Sequence, residues 1–224
     1  MAVTDAAIAK IQAMIVSGDL KPGQRLQPEK ELSESLGLSR SSLREAVKAL
    51  ELIRVLDVRR GDGTYVTTLE PSLLLEAVSF VVDMHQDHSL IEMFEVRRIL
   101  EPAAAALAVK NLDDAALDQL RSMVDEVDES TSVEDLVAHD LAFHARIIAA
   151  GGNAYLSSLL DALGSHTVRA RIWRGLTEEK SVTRTLDEHH AIVEALAQRD
   201  AELVRALVLT HVSGVETWLR RSLE

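Results

Sequence analysis

The sequence predicts a mostly α protein, a small winged helix-turn-helix with a β-hairpin wing followed by an antiparallel all-α bundle of six or seven helices. Three observations carry this. Apolar residues recur at helical spacing through nearly the whole chain. The one stretch of alternating character, VLDVRRGDGTYVTT (55–68), is split by a Gly-Asp-Gly tip, as a hairpin would be. Charge is also divided unevenly. Of a net charge of −12, residues 1–69 carry +1 and residues 70–224 carry −13, and all 8 histidines lie in the second part. The two parts read as separate domains, 1–69 and 70–224, with different partners.

In the first part, TDAAIAKIQAMIVS (4–17) forms a helix with Ile8, Ile11 and Ile15 on one face. GDLKPGQRL is a turn-rich connection. A second helix runs from about Pro28 to Leu36, with proline near the first helical position, where its missing N–H costs nothing. Gly37 supplies the positive φ of a sharp turn, and Ser39 stands where an N-cap belongs. The next helix buries Leu43, Val47 and Leu50 and presents Arg40, Ser41 and Arg44 on its other face. Two guanidinium groups one turn apart near a helix N-terminus suit base edges and phosphates in a major groove. The hairpin adds Arg59 and Arg60 beside its tip, a second basic contact.

From Leu73 onward the chain shows no β alternation and only one proline, Pro102. TLEPS (68–72) reads as a linker. Helical periodicity follows over 72–84, 89–109, 113–127, 132–150, 154–174, 179–198 and 200–222, with the short connections bundles prefer. Asp140 and His144 fall one turn apart on the apolar stripe Leu136, Phe143, Ile147. His189 lies on the stripe Leu186, Val193, Leu196, though spacing alone does not choose it over His190. His211 lies on the stripe Val204, Leu207, Val215, Trp218. Three helices thus put metal-competent groups on core-facing stripes. A buried carboxylate must be paired or neutralised, and one divalent cation would satisfy all four groups. His85, His88, His139 and His166 read as ordinary hydrogen-bonded histidines.

The absence of cysteine excludes disulfides, thiol catalysis and cysteine zinc fingers. No signal-peptide pattern and no membrane-length apolar run is present, so a cytoplasmic location is expected.

RLQPEKELSESLGLSRSSLREAVKALE…VRRGDGTYV resembles the DNA-binding domain of the GntR family of bacterial transcription regulators, over residues 4–68. The resemblance implies contacts to double-stranded DNA from Lys30, Arg40, Ser41, Arg44 and Gly61. The chain departs from the pattern twice. It has Gln27-Pro28 where Pro-Ser is usual, and Arg54 where a glycine usually ends the recognition helix, a costly place for arginine. FEVRRILEPAAAALA (94–108), HDLAFHARIIAAGGN (139–153) and DEHHAIVEALAQRDAELVRALVLTHV (187–212) resemble the FCD ligand-binding domain of the FadR subfamily, over essentially all of 72–224. That resemblance implies a metal held by Asp140, His144, His189 and His211, zinc first, with nickel, manganese or iron as alternatives. It also implies a small carboxylate effector (hydroxy acid, sugar acid or dicarboxylate) held by Arg97, with Arg171 as a weaker candidate. The plain alternative for Arg97 is a salt bridge to Glu95 or Glu101.

The expectation is a homodimeric regulator, a repressor, reading a palindromic operator under control of that effector. The rival is a metal-dependent hydrolase or isomerase with a DNA-binding appendage. It lacks an identifiable general base: Glu188, the only nearby acid, reads as a helix N-terminal charge.

Overall fold

A computed structural model describes residues 3–70 and 88–223. The expected helix at 72–84, the linker's Pro71 and His85 lie outside the described residues, as does the side chain of His88. The chain divides into two compact units, residues 1–77 and 78–224.

The first unit contains α1 (Val3–Ser17), α2 (Glu29–Leu36), α3 (Arg40–Leu52), β1 (Leu56–Arg59) and β2 (Gly63–Val66). Its core is Ile11, Leu26, Leu32, Leu43, Leu50, Leu56 and Val66, with Ile8, Ile15 and Val47 packed at its edge. Gly37 closes α2 at φ 63°, and Ser39 caps α3 by accepting from the Ser42 N–H. The strands pair antiparallel, Leu56 opposite Val66 and Arg59 opposite Gly63. The stretch read as a plain connection does more: Leu26 N–H bonds the Thr64 carbonyl at 2.8 Å, and Val66 N–H bonds the Gln24 carbonyl at 2.9 Å. It satisfies the outer edge of β2, whose backbone groups would otherwise lack protein partners. Arg54 does take the left-handed conformation, at φ 58°.

The second unit contains α4 (His88–Ala108), α5 (Asp114–Asp125), α6 (Val133–Ala150), α7 (Ala154–His166), α8 (Val168–Thr177), α9 (Ser181–Ala197) and α10 (Ala201–Leu223). Phe94, Leu120, Phe143, Ile147, Ile192, Leu196 and Leu219 form its centre. Arg98 of α4 bonds Glu216 of α10 at 2.9 Å, and Arg220 bridges Glu216 and Glu95. Asp113, Ser132 and Asn153 cap α5, α6 and α7 with their side chains.

The expected single helix over 154–174 is two helices, broken at Thr167. Thr167 is fully buried, and its hydroxyl donates to the Gly164 carbonyl at 2.8 Å. The hydroxyl takes a carbonyl that helix continuation would engage, and it tightens the last turn. The break starts α8 afresh, so that Ala170, Arg171 and Arg174 form its buried face.

Candidate metal centre and nucleic-acid interface

Asp140 and His144 project from one face of α6, His189 from α9 and His211 from α10, and all four are buried. One ligand atom from each lies within 4.8 Å of the others. The centre of the cluster is Asp140 Oδ1. It stands 3.1 Å from His189 Nε2, 3.2 Å from His211 Nε2 and 3.6 Å from His144 Nε2. His190, the alternative left open by spacing, is exposed. His139, one residue before Asp140, turns aside and bonds the Met123 carbonyl at 2.7 Å.

The electrostatics follow from burying these groups together. Burial pushes the Asp140 carboxyl up, but the Arg171 guanidinium and the imidazoles hold it well below the usual carboxylate range. Burial lowers His144, and it lowers His189 to about 4, with neighbouring imidazoles adding to the effect. His211 differs. Burial disfavours its charge, yet bonds to Asp140 and Glu188 raise it to about 9.

Glu188 explains that difference and corrects the sequence reading. It is not a helix N-terminal charge: it sits two turns into α9 and meets His211 Nδ1 at 2.7 Å. A carboxylate can only accept, so Nδ1 carries the proton. Nε2 is then free to offer its lone pair to a cation, a carboxylate–histidine relay. Without a cation, His211 must be an imidazolium to satisfy both neighbours. His144 Nε2 is buried with no hydrogen-bond partner. Three imidazole nitrogens and one carboxylate oxygen, one nitrogen orphaned and another pre-oriented by an outer acid, fit a divalent transition metal.

Two arginines flank the cluster. Arg171 of α8 donates to Asp140 Oδ2. Burial, with Arg97's charge beside it, lowers its pKa to about 10. Arg97 of α4 bonds Glu101 at 2.5 Å and Thr167 Oγ1 at 3.0 Å. The salt-bridge alternative for Arg97 therefore holds, with Glu101 rather than Glu95, but both partners are buried. Arg97 and Arg171 also line two spaces. One is a cavity of about 40 Å³ that includes Asp140, Arg174, Ser181 and His211. The other, of about 370 Å³, includes Glu101, Ala138, Ala142, His144 and Asp161. Sequence reasoning misread Glu188 and missed Thr167, Arg174 and Ser181.

In the first unit, Arg40, Ser41 and Arg44 lie exposed on the first turns of α3, and Lys30 is exposed on α2. Arg44 Nε bonds Glu29 Oε2 at 2.7 Å, linking the two helices. Gly61 lies at the exposed hairpin tip with φ 78°. Beside it, Arg59 is engaged within the fold: it bonds Asp57 at 2.8 Å and lies 4.2 Å from the Tyr65 ring centre. Arg60 is exposed. No helix among the described residues is long and apolar enough to cross a membrane.

Comparison with known proteins bears on both units. Residues 3–66 match the family described as bacterial regulatory proteins, gntR family, and residues 92–214 match the FCD domain. The HTH-type transcriptional regulator LutR of Bacillus subtilis is 31% identical over 209 residues, covering 91% of this chain and 94% of that protein. The galactonate operon transcriptional repressor of Escherichia coli is 28% identical, covering 94% of each chain. Among solved structures, Streptococcus agalactiae GntR superposes with a TM-score of 0.71 at 24% identity, covering 96% of this chain and 99% of that one, a likeness of fold.

Proposed function

Because the chain belongs to the GntR family of bacterial regulatory proteins, carries an FCD domain and is thus a DNA-binding transcription regulator rather than an enzyme, we propose that it is a repressor controlled by a small carboxylate effector bound at a metal centre. In this reading residues 1–69 read the operator and residues 70–224 sense the effector and dimerise. Arg40, Ser41 and Arg44 enter the major groove, Lys30 and Gly61 hold the backbone, and a two-fold dimer matches a palindromic operator.

The observation that carries the sensing part is the convergence of three imidazole Nε2 atoms on Asp140 Oδ1 beside two buried arginines. Asp140, His144, His189 and His211 would hold the ion, zinc first. A bound divalent ion supplies coordination positions that take a carboxylate oxygen. Arg97 and Arg171 would orient that carboxylate and balance its charge, and the buried helices exclude water that would screen it. The name of the galactonate operon repressor supports an acid as the signal. An effector changes operator affinity only by binding the DNA-competent and incompetent arrangements unequally.

The test uses full-length protein and an operator selected by that protein from random duplex DNA. Zinc-replete wild type should carry bound metal, and an effective small acid should weaken operator binding at least about ten-fold, a modest allosteric coupling. His144→Ala with His189→Ala should lose both the metal and the response while still binding operator. Metal-free wild type after zinc loading, or an unchanged acid response in the double variant, overturns the reading.

A further inference from the structure

Two residues that line the cavity beside the Asp140 cluster each carry a polar atom that neither the cluster nor the fold uses. Arg174 is 4% exposed, and its Nε donates to Glu178 at 2.5 Å. Its Nη2 is buried with no partner and sits 3.6 Å from where a Cβ on Gly214 would stand. Ser181 opens α9, is 4% exposed, and its Oγ is likewise buried without a partner. Both line the same cavity as Arg97, Asp140, Arg171 and His211. The structural work of Arg174 is done by Nε and Glu178, so the orphaned Nη2 is surplus to it. An unpaired buried N–H or hydroxyl is costly, and two on residues that line one cavity point to a missing partner.

We propose that Arg174 and Ser181 form a second anchor in the effector site, for an oxygen at the far end of the acid. This rests on the effector reading above and adds which acids the site selects. Arg171 and Arg174 are three residues apart on α8, so their Cα atoms are offset by about 4.5 Å along the axis. A short carbon chain spans that offset, placing one carboxylate at Arg171 and a second oxygen group at Arg174. An acid ending in an alkyl group would leave both anchor atoms unpaired, the kind of mismatch that discriminates strongly.

The larger space on the other side of Arg97 and Arg171 is a poorer place for that far end. It is lined by two carboxylates, Glu101 and Asp161, and its Ala138 and Ala142 are exposed. Among the residues lining the Arg174 side, one is a carboxylate, Asp140, and three carry guanidinium groups.

The experiment compares acids of equal carbon count on zinc-loaded full-length protein: succinate against butyrate, and malate against 2-hydroxybutyrate. Binding is read by calorimetry and by the fluorescence of Trp173, which lies on α8 beside Arg174. Wild type should bind each two-ended acid at least about ten-fold more tightly than its one-ended counterpart, the scale of a charged hydrogen bond. Ser181→Ala and Arg174→Met should bring that ratio toward one, lowering affinity for the two-ended acid and leaving the other within about two-fold. Ser181→Ala removes only an unpartnered hydroxyl, so it carries the test even if Arg174→Met fails to fold. A ratio unchanged by Ser181→Ala, or no preference in wild type, overturns the anchor alone. Failure of wild type to bind any of the four acids overturns the effector reading and the anchor with it.

Discussion

Asp140→Asn in metal-free protein isolates the electrostatic core of the centre. The wild-type carboxylate meets Arg171 on Oδ2 and His189 and His211 on Oδ1. Asparagine keeps the shape and one acceptor but removes the charge. His211 keeps Glu188 as a counter-charge, whereas Arg171 keeps only the more distant Glu101. Breaking a buried pair from one side costs about 3–5 kcal/mol, and the retained acceptor argues for the low end, about 3 kcal/mol. With a urea m-value of about 2 kcal/mol/M, the unfolding midpoint falls by about 1.5 M. Fluorescence reports on the helical unit alone, because the chain's two tryptophans, Trp173 and Trp218, both belong to it. Adding Arg171→Met removes the stranded guanidinium, and this double variant should return to within about 1 kcal/mol of wild type. A single-variant loss below about 1 kcal/mol, or a double variant as unstable as the single, would refute the argument.

Arg44→Ala should weaken operator binding by at least about ten-fold, the scale of a lost bidentate base contact, as read by fluorescence anisotropy. Its exposed pair with Glu29 contributes little to stability, so the thermal midpoint should stay put. Glu188→Gln should leave a metal-binding protein whose affinity, measured by chelator competition, is reduced about 10- to 100-fold; undiminished affinity would remove Glu188 from the centre. Arg54→Gly should stabilise the first unit by about 0.5–1 kcal/mol in calorimetry, since glycine adopts φ 58° without the side-chain clash but gains entropy when unfolded.

The legible parts of this protein are those with a period or a turn signature. Asp140 and His144 stood out because helical spacing put polar groups on an apolar stripe, and the structure buries them with His189 and His211. Spacing did not separate His189 from His190; resemblance did, and the burial of one with exposure of the other agrees. Glu188 was misread because an acid near the middle of a helix, on a half-polar face, carries no periodic mark. Its meaning depends on His211, 23 residues away on another helix. Thr167 was missed for a related reason. Apolar residues continue at helical spacing through SHTVRARIW, so the pattern gives no stop, and the structure breaks the helix at Thr167, whose hydroxyl bonds the Gly164 carbonyl. Arg171 and Arg174 inherit their inward direction from that break.

Under the proposed function, the same contacts explain why an acid and a metal would act together. Each flanking arginine has a carboxylate partner, Arg171 in Asp140 and Arg97 in Glu101. An incoming carboxylate would therefore compete with carboxylates already in place for those bonds. A cation held by Asp140 and the three imidazoles would change the balance. Asp140 would then share its charge between the cation and Arg171, and Arg171 would have less than its full counter-charge in a buried site. An acid would then complete a pairing instead of displacing one. Linkage requires the converse: an acid that binds better with metal present must tighten the metal by the same factor. The polar stripe on α6 would thus do two things at once. It would gather the ligands of the centre, and through Arg171 it would set how strongly that centre attracts an anion.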